Sequence, residues 1–137
     1  MTVGILLVSH NQIGTELLNT SRQMLASSPL PTKVISIGIH DNPDTIKRQF
    51  DEVIKSLDQG NGILVLTDMF GSTPSNIACA VSDRDDIRII SGLNLPMLIR
   101  VLNYPNLKLE DLEQKALTGG REGIARCHRT GCENEDD

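Results

Sequence analysis

The chain has 137 residues, enough for one domain that buries about two-thirds of its unfolded surface and holds its core without disulfides or metal. Its 18 acidic and 13 basic residues leave a formal net charge of -5, which argues against nucleic acid or an anionic membrane surface as partner, since both need clustered Lys and Arg. No apolar run is long enough to cross a bilayer, and MTVGILLVSH lacks the basic flank and cleavage site of a signal peptide, so the chain reads as cytoplasmic and not membrane-embedded.

In chain order, Val3 to Val8 is continuously apolar between polar neighbours, as expected for a strand covered on both faces. His10 follows at once, either as a hydrogen-bonded cap to the strand end or as a reactive imidazole at the rim of a sheet. Ile13, Leu17, Leu18, Met24 and Leu25 recur at helical spacing, and Pro29 and Pro31 close that segment. Lys33 to Gly38 is short and β-branched and predicts a second strand. In DNPDTIKRQFDEVIKSL, Asn42 is the candidate N-cap and Pro43 the first helical residue, with Ile46, Phe50, Val53, Ile54 and Leu57 on one face.

Gly60 to Gly62 turn the chain into a third strand, Ile63 to Leu66. A helix over 74–81, a fourth strand over 87–90 and helices over 95–102 and 109–117 follow, with Gly119 and Gly120 expected to stop the last helix. Gly123 to Arg129 predicts one more short edge strand, and residues 130–137 a solvated acidic tail, so the domain runs from 1 to 129. The three cysteines include no C-x-x-C pair, which points to neither a disulfide framework nor a common zinc pattern. Cys127, His128 and Cys132 form a partial ligand set or are ordinary tail residues, Cys79 is expected in the core, and His40 and His128 are read as structural or solvated.

Alternating strands and helices predict an α/β fold, a mostly parallel open sheet with helices on both faces. All loops leaving the carboxyl ends of such strands share one rim, and with the order 2-1-3-4 the first and third strands are neighbours at the point where the order reverses. His10 just past the first strand and Asp68 just past the third would meet in that crevice. A carboxylate that accepts the proton of one ring nitrogen fixes the tautomer, leaves the other nitrogen free to attack, and steadies the positive charge that grows on it. In TDMFGSTPSN, the amides of Gly71 to Thr73 and the hydroxyls of Ser72 and Thr73 precede Pro74 at a helix start, a candidate oxyanion cradle. Taken singly these features read as a strand cap, a turn residue and a helix cap. Their convergence points to phosphoryl transfer on His10 with no metal and no organic cofactor. Met69 and Phe70 lie on the same rim, to dock a partner or, for Phe70, to fill the core.

VSHNQIG, TDMFGSTPSN, SGLNLPML and GREGI, in this order and at these separations, resemble the IIA component of the mannose family of the bacterial phosphotransferase system (PTS), and the resemblance covers Met1 to about Arg126. It implies that His10 is the phosphohistidine of a phosphotransferase, charged by the carrier protein HPr and discharged to a IIB component that phosphorylates incoming sugar. It implies that Asp68 is the hydrogen-bonding partner of His10, that Gly71, Ser72 and Thr73 lie beside the phosphate, and that the chain is a homodimer exchanging an antiparallel edge strand, here assigned to 123–129. Asn94 and Pro96 in SGLNLPML cap and open a helix or contact the phosphate.

Two positions depart from the family pattern: Asn11 stands where Ser-His-Gly is usual, and Ser72 where a second glycine is common. Because the chain ends soon after the IIA-like part, IIB and permease are expected as separate proteins in sugar uptake, or absent if the protein is a phosphorylation-dependent regulator. The phosphotransfer subunit of dihydroxyacetone kinase shares the fold and an early Ser-His, but the intact DMFGSTPSN and GLNLPML argue against it. A non-catalytic anion-binding regulatory module is the alternative from another class, and it predicts tight ligand binding without covalent phosphate on His10.

Overall fold

The computed structural model describes residues 2–27, 30–81 and 83–128, together with the backbone of 131–133. Six consecutive buried residues, Gly4 to Ser9, place strand β1 (Gly4–His10) in the middle of a sheet, because only a central strand hides both faces. It pairs in parallel with β2 (Thr32–Ile37) on one side and β3 (Ile63–Thr67) on the other, and β3 pairs in parallel with β4 (Ile87–Ser91). The sheet order β2-β1-β3-β4 is the one the sequence predicts.

Side-chain parity sorts the core into two layers. Ile5, Leu7, Leu64 and Leu66 face a cluster that includes Leu18 of α1 (Ile13–Met24), Leu98 of α4 (Leu95–Leu102) and Leu112 of α5 (Leu109–Glu122). Leu6, Val8, Ile63 and Val65 face the opposite cluster, with Ile46, Phe50 and Ile54 of α2 (Pro43–Leu57) and Ala78 of α3 (Thr73–Cys79). Helix α2 starts as its sequence dictates: the Asn42 side chain accepts the amide of Asp44 at 2.8 Å, and Pro43 is the first helical residue. Among the described residues no helix is long and apolar enough to cross a membrane.

Several expectations need correction. Three strands run past their apolar stretch, so His10, Thr67 and Ser91 are the last residues of β1, β3 and β4 and not the first residues of loops. Helix α3 ends at Cys79, short of Val81, because the amides of Ala80 and Val81 bond to carbonyls three residues back, at 3.3 and 3.2 Å, and tighten the last turn. Cys79 is exposed and not part of the core. Gly119 and Gly120 do not stop α5, which continues to Glu122. Both are buried where α5 meets α4: a Cβ on Gly119 would lie 2.7 Å from Arg100 Cβ, so the glycine serves a close helix approach.

The edge strand expected over 123–129 is shorter and pairs elsewhere. Gly123 caps α5, and β5 (Arg126–His128) pairs antiparallel with β6 (Gly131–Glu133) in a separate two-stranded sheet. The boundary expected at 129 falls between the two strands of that hairpin, and the backbone of 131–133 is strand where a tail is expected. Residues 130 and 134–137 of that tail, Arg129 of the edge strand and Pro29 after the first helix lie outside the described residues. Backbone register sets Cys127 opposite Cys132, and among the described residues no group of three or more His, Cys, Asp or Glu could hold a metal ion.

Candidate functional site

His10 ends β1 and Asp68 directly follows β3, its neighbour in the sheet, so parallel pairing brings residues 58 positions apart to one point on the rim. Asp68 Oδ2 lies 2.8 Å from His10 Nδ1 and also accepts the backbone N–H of His10 at 2.9 Å. The imidazole is 39% exposed and the carboxylate 9%, which puts the nucleophile within reach of a partner and its orienting group out of water. An ionised carboxylate only accepts, so Nδ1 carries the ring proton and the lone pair is on Nε2. Asp68 Oδ1 is buried and, among the described residues, has no hydrogen-bond partner.

The loop after His10 is held in an unusual conformation. Asn11 has φ 47°, the left-handed region, and donates its amide to the Ile37 carbonyl at 2.9 Å. Asn tolerates this region better than any residue except Gly, which accounts for Asn11 at a position where Gly is usual in the family the motifs resemble. Behind it, buried Ser9 accepts the Gly14 amide at 2.8 Å and so fixes the start of α1, a role the sequence pattern does not announce.

A cavity of about 420 Å³ opens beside the imidazole, with His10, Asn11, Gly38, Asp41, Thr73 and Ile77 on its wall. Of the three candidate phosphate contacts, Thr73 therefore shares the cavity with His10. The Ser72 hydroxyl is engaged within its own loop, donating to the Met69 carbonyl at 2.6 Å, and Gly71 provides a turn with φ 80°. Asp41, which sequence reasoning missed, accepts the Gly38 amide at 2.6 Å and shapes the wall opposite α3.

Asn94 resolves in favour of helix capping: its Oδ1 accepts the Met97 amide at 2.9 Å and its Nδ2 donates to the Gly120 carbonyl at 3.1 Å. Phe70 is 84% exposed and does not enter the core, and Met69 and Ile39 are exposed on the same rim. His40 is also exposed, in the turn between β2 and α2.

A family model described as "PTS system fructose IIA component" matches residues 4–115. The mannose-specific EIIAB component of the PTS from Escherichia coli (strain K12) is 29% identical over 127 residues, a match covering 90% of this chain and 39% of that protein. The transcriptional regulatory protein LevR of Bacillus subtilis (strain 168) is 26% identical over 116 residues, covering 82% of this chain and 12% of LevR. The chain thus spans about two fifths of the EIIAB relative, and less of LevR. Among solved structures, a mannose/sorbose specific IIA subunit from Enterococcus faecalis superposes with a TM-score of 0.82 at 24% identity, covering 93% of this chain and 96% of that one, a likeness of fold.

Proposed function

The chain belongs to the mannose/fructose-type IIA component family of the sugar phosphotransferase system, and from that premise we propose that it is a cytoplasmic phosphoryl carrier that accepts phosphate from phospho-HPr on His10 and passes it to a IIB component. The observation that carries this reading is the half-exposed imidazole whose Nδ1 is held by Asp68 Oδ2 at 2.8 Å. In transfer, the bond from phosphorus to the donor imidazole breaks as the bond to His10 Nε2 forms. The phosphoryl group passes in line through a loose transition state with charge on its equatorial oxygens. The donor imidazole leaves with the electron pair of the broken bond. The proton on Nδ1 stays, so the phosphorylated ring carries positive charge and Asp68 offsets it. Thr73, across the cavity, supplies a hydroxyl for the phosphoryl oxygens, and Gly71 and Ser72 shape the loop that presents it. Discharge to IIB is the same exchange in reverse.

We further propose a homodimer and place the partner's edge at β4, one of the two outer strands of the sheet and, like β2, paired on its far side with no described strand. The folded unit is proposed to extend past residue 129 to include the β5–β6 hairpin. The test of the carrier reading is transfer of labelled phosphate from phosphoenolpyruvate in the presence of enzyme I and HPr. Acid-labile, alkali-stable phosphate on the native chain, absent in His10→Ala and slowed in Asp68→Ala, supports it. No label on a folded native chain rejects it, and anion binding at the same cavity then becomes the function to measure.

The similarity to LevR favours one second reading, in which the same phosphorylation serves regulation. A IIB component that discharges the phosphorylated chain supports sugar uptake. A stable phospho-form that no IIB discharges supports the regulatory role.

A further inference from the structure

At the carboxyl ends of β3 and β4, three hydroxyls from three different elements meet. Thr67 ends β3 and Ser91 ends β4, directly opposite in the parallel register, with Oγ1 and Oγ 2.7 Å apart. Ser75, in the first turn of α3, places its Oγ 3.3 Å from the same Ser91 Oγ. Thr67 is 0% exposed and Ser75 1%, so these two hydroxyls have left water and the half-buried Ser91 hydroxyl is the side-chain partner of both. Ser91 is the hinge of the set, since one hydroxyl can donate to one neighbour while accepting from the other. The Thr67 carbonyl also accepts the Leu93 amide at 2.9 Å, which ties the segment after β4 to the same point.

We infer that Ser75, Ser91 and Thr67 form a hydroxyl bridge that positions Asp68 and Thr73 against His10, making Ser75 and Ser91 positioning residues for the transfer. The residue after Thr67 is Asp68, and the loop 68–72 runs from it to Thr73 at the start of α3. That loop is anchored at the Thr67 end by the bond to Ser91 and at the α3 end by the bond from Ser75 to the same Ser91. Exposed Met69 and Phe70 contribute little to holding it, and Ser72 bonds only to the Met69 carbonyl and to the first turn of α3, whose Ser75 amide its hydroxyl accepts at 3.5 Å, so it ties the loop to no other element. Asp68 itself reaches β1 through the His10 amide and ring, and the bridge is the second tertiary tie, the one that joins both ends of the loop and so fixes where the Thr73 hydroxyl stands relative to that pair. An apolar triad of equal volume would fill the space and would not fix direction.

The effect on transfer rests on the carrier reading, whereas the effect on His10 does not. The experiment compares the full-length native chain with Ser91→Ala, Ser75→Ala, Ser91→Thr and Asp68→Ala. In the unphosphorylated chain at neutral pH, the ring nitrogen resonances of His10 in Ser91→Ala are expected to move part of the way toward those of Asp68→Ala and to return in Ser91→Thr. Transfer from phospho-HPr at saturation is expected to slow about tenfold in Ser91→Ala and Ser75→Ala with KM for HPr unchanged, the scale of a small misplacement of reacting groups. Native-like ring resonances and rates in folded Ser91→Ala and Ser75→Ala overturn the inference, as does a defect that Ser91→Thr fails to restore. If the native chain takes no phosphate, the carrier reading fails and the ring resonances still decide the bridge.

Discussion

One oxygen of Asp68 serves two nitrogens of a single residue: Oδ2 is 2.8 Å from His10 Nδ1 and 2.9 Å from the His10 backbone nitrogen. The second contact makes the arrangement rigid, because the carboxylate cannot follow the ring without releasing the backbone. Asp68→Asn retains an oxygen that can accept both protons but removes the charge that offsets a phosphorylated imidazolium. Phosphoryl acceptance by this variant is expected to slow about a hundredfold, the scale of losing one preorganised electrostatic contact. Single-turnover labelling against phospho-HPr measures it, and a native rate would show that Asp68 only orients the ring.

Asn11 at φ 47° makes the loop after His10 sensitive to side-chain type. Asn11→Gly is expected to fold and transfer as the native chain does. Asn11→Ala should lose about 1 kcal/mol of stability, since a Cβ without a local hydrogen-bonding group is disfavoured in this region. Chemical denaturation of the three chains orders them, and equal midpoints for Asn11→Ala and the native chain would refute the strain argument.

Most of the framework and both partners of the His10–Asp68 pair were legible in the sequence, because each rests on a local signal. Continuous apolar runs mark central parallel strands, and the Asn42–Pro43 pair marks a helix start. Parallel order then brings His10 and Asp68 together without further information. What the sequence hid depends on partners distant along the chain. Gly119 and Gly120 look like a helix stop until Arg100 and Met97 of α4 are seen against them. Thr67, Ser75 and Ser91 look like ordinary turn and cap residues until the register sets two of them opposite each other and α3 brings the third. Cys79 lies in an apolar run and yet faces solvent, because the last turn of α3 turns Ala78 into the core and leaves the next residue on the outer face.

The exposure of Cys79 is directly testable. The native chain is expected to take up a thiol reagent at Cys79 without denaturant, at a rate comparable to a free thiol. Peptide mapping after brief alkylation locates the label. Protection of Cys79 until unfolding would return it to the core.

Phe70 is 84% exposed on the rim that carries His10, so its side chain contributes little to folding. Phe70→Ala is expected to change stability by no more than about 0.5 kcal/mol, as for exposed positions generally. If the rim docks the phosphoryl donor, the same variant raises KM for HPr and leaves the rate at saturation near native. An unchanged KM would place the donor contact elsewhere on the rim, away from Phe70.

The two glycines of α5 separate packing from propensity. Replacing Gly by Ala within a helix gains up to about 1 kcal/mol of intrinsic preference, so any loss measures crowding. At Gly119 the new Cβ would stand 2.7 Å from Arg100 Cβ and 2.9 Å from Arg100 Cγ, atoms close to the α4 backbone that cannot swing aside. At Gly120 the nearest atom, at 2.7 Å, is Met97 Cε, the end of a flexible side chain, and the next is 3.5 Å away. Helices α4 and α5 must separate to accept the first substitution, whereas a rotation of one thioether accepts the second. Gly119→Ala is therefore expected to lower stability by about 1–3 kcal/mol, the usual cost of overpacking. Gly120→Ala should stay near the native midpoint or rise above it. Parallel thermal melts decide the order. A larger loss at Gly120 would mean that Met97 is locked by its neighbours and that the α4–α5 contact closes around residue 120 and not residue 119.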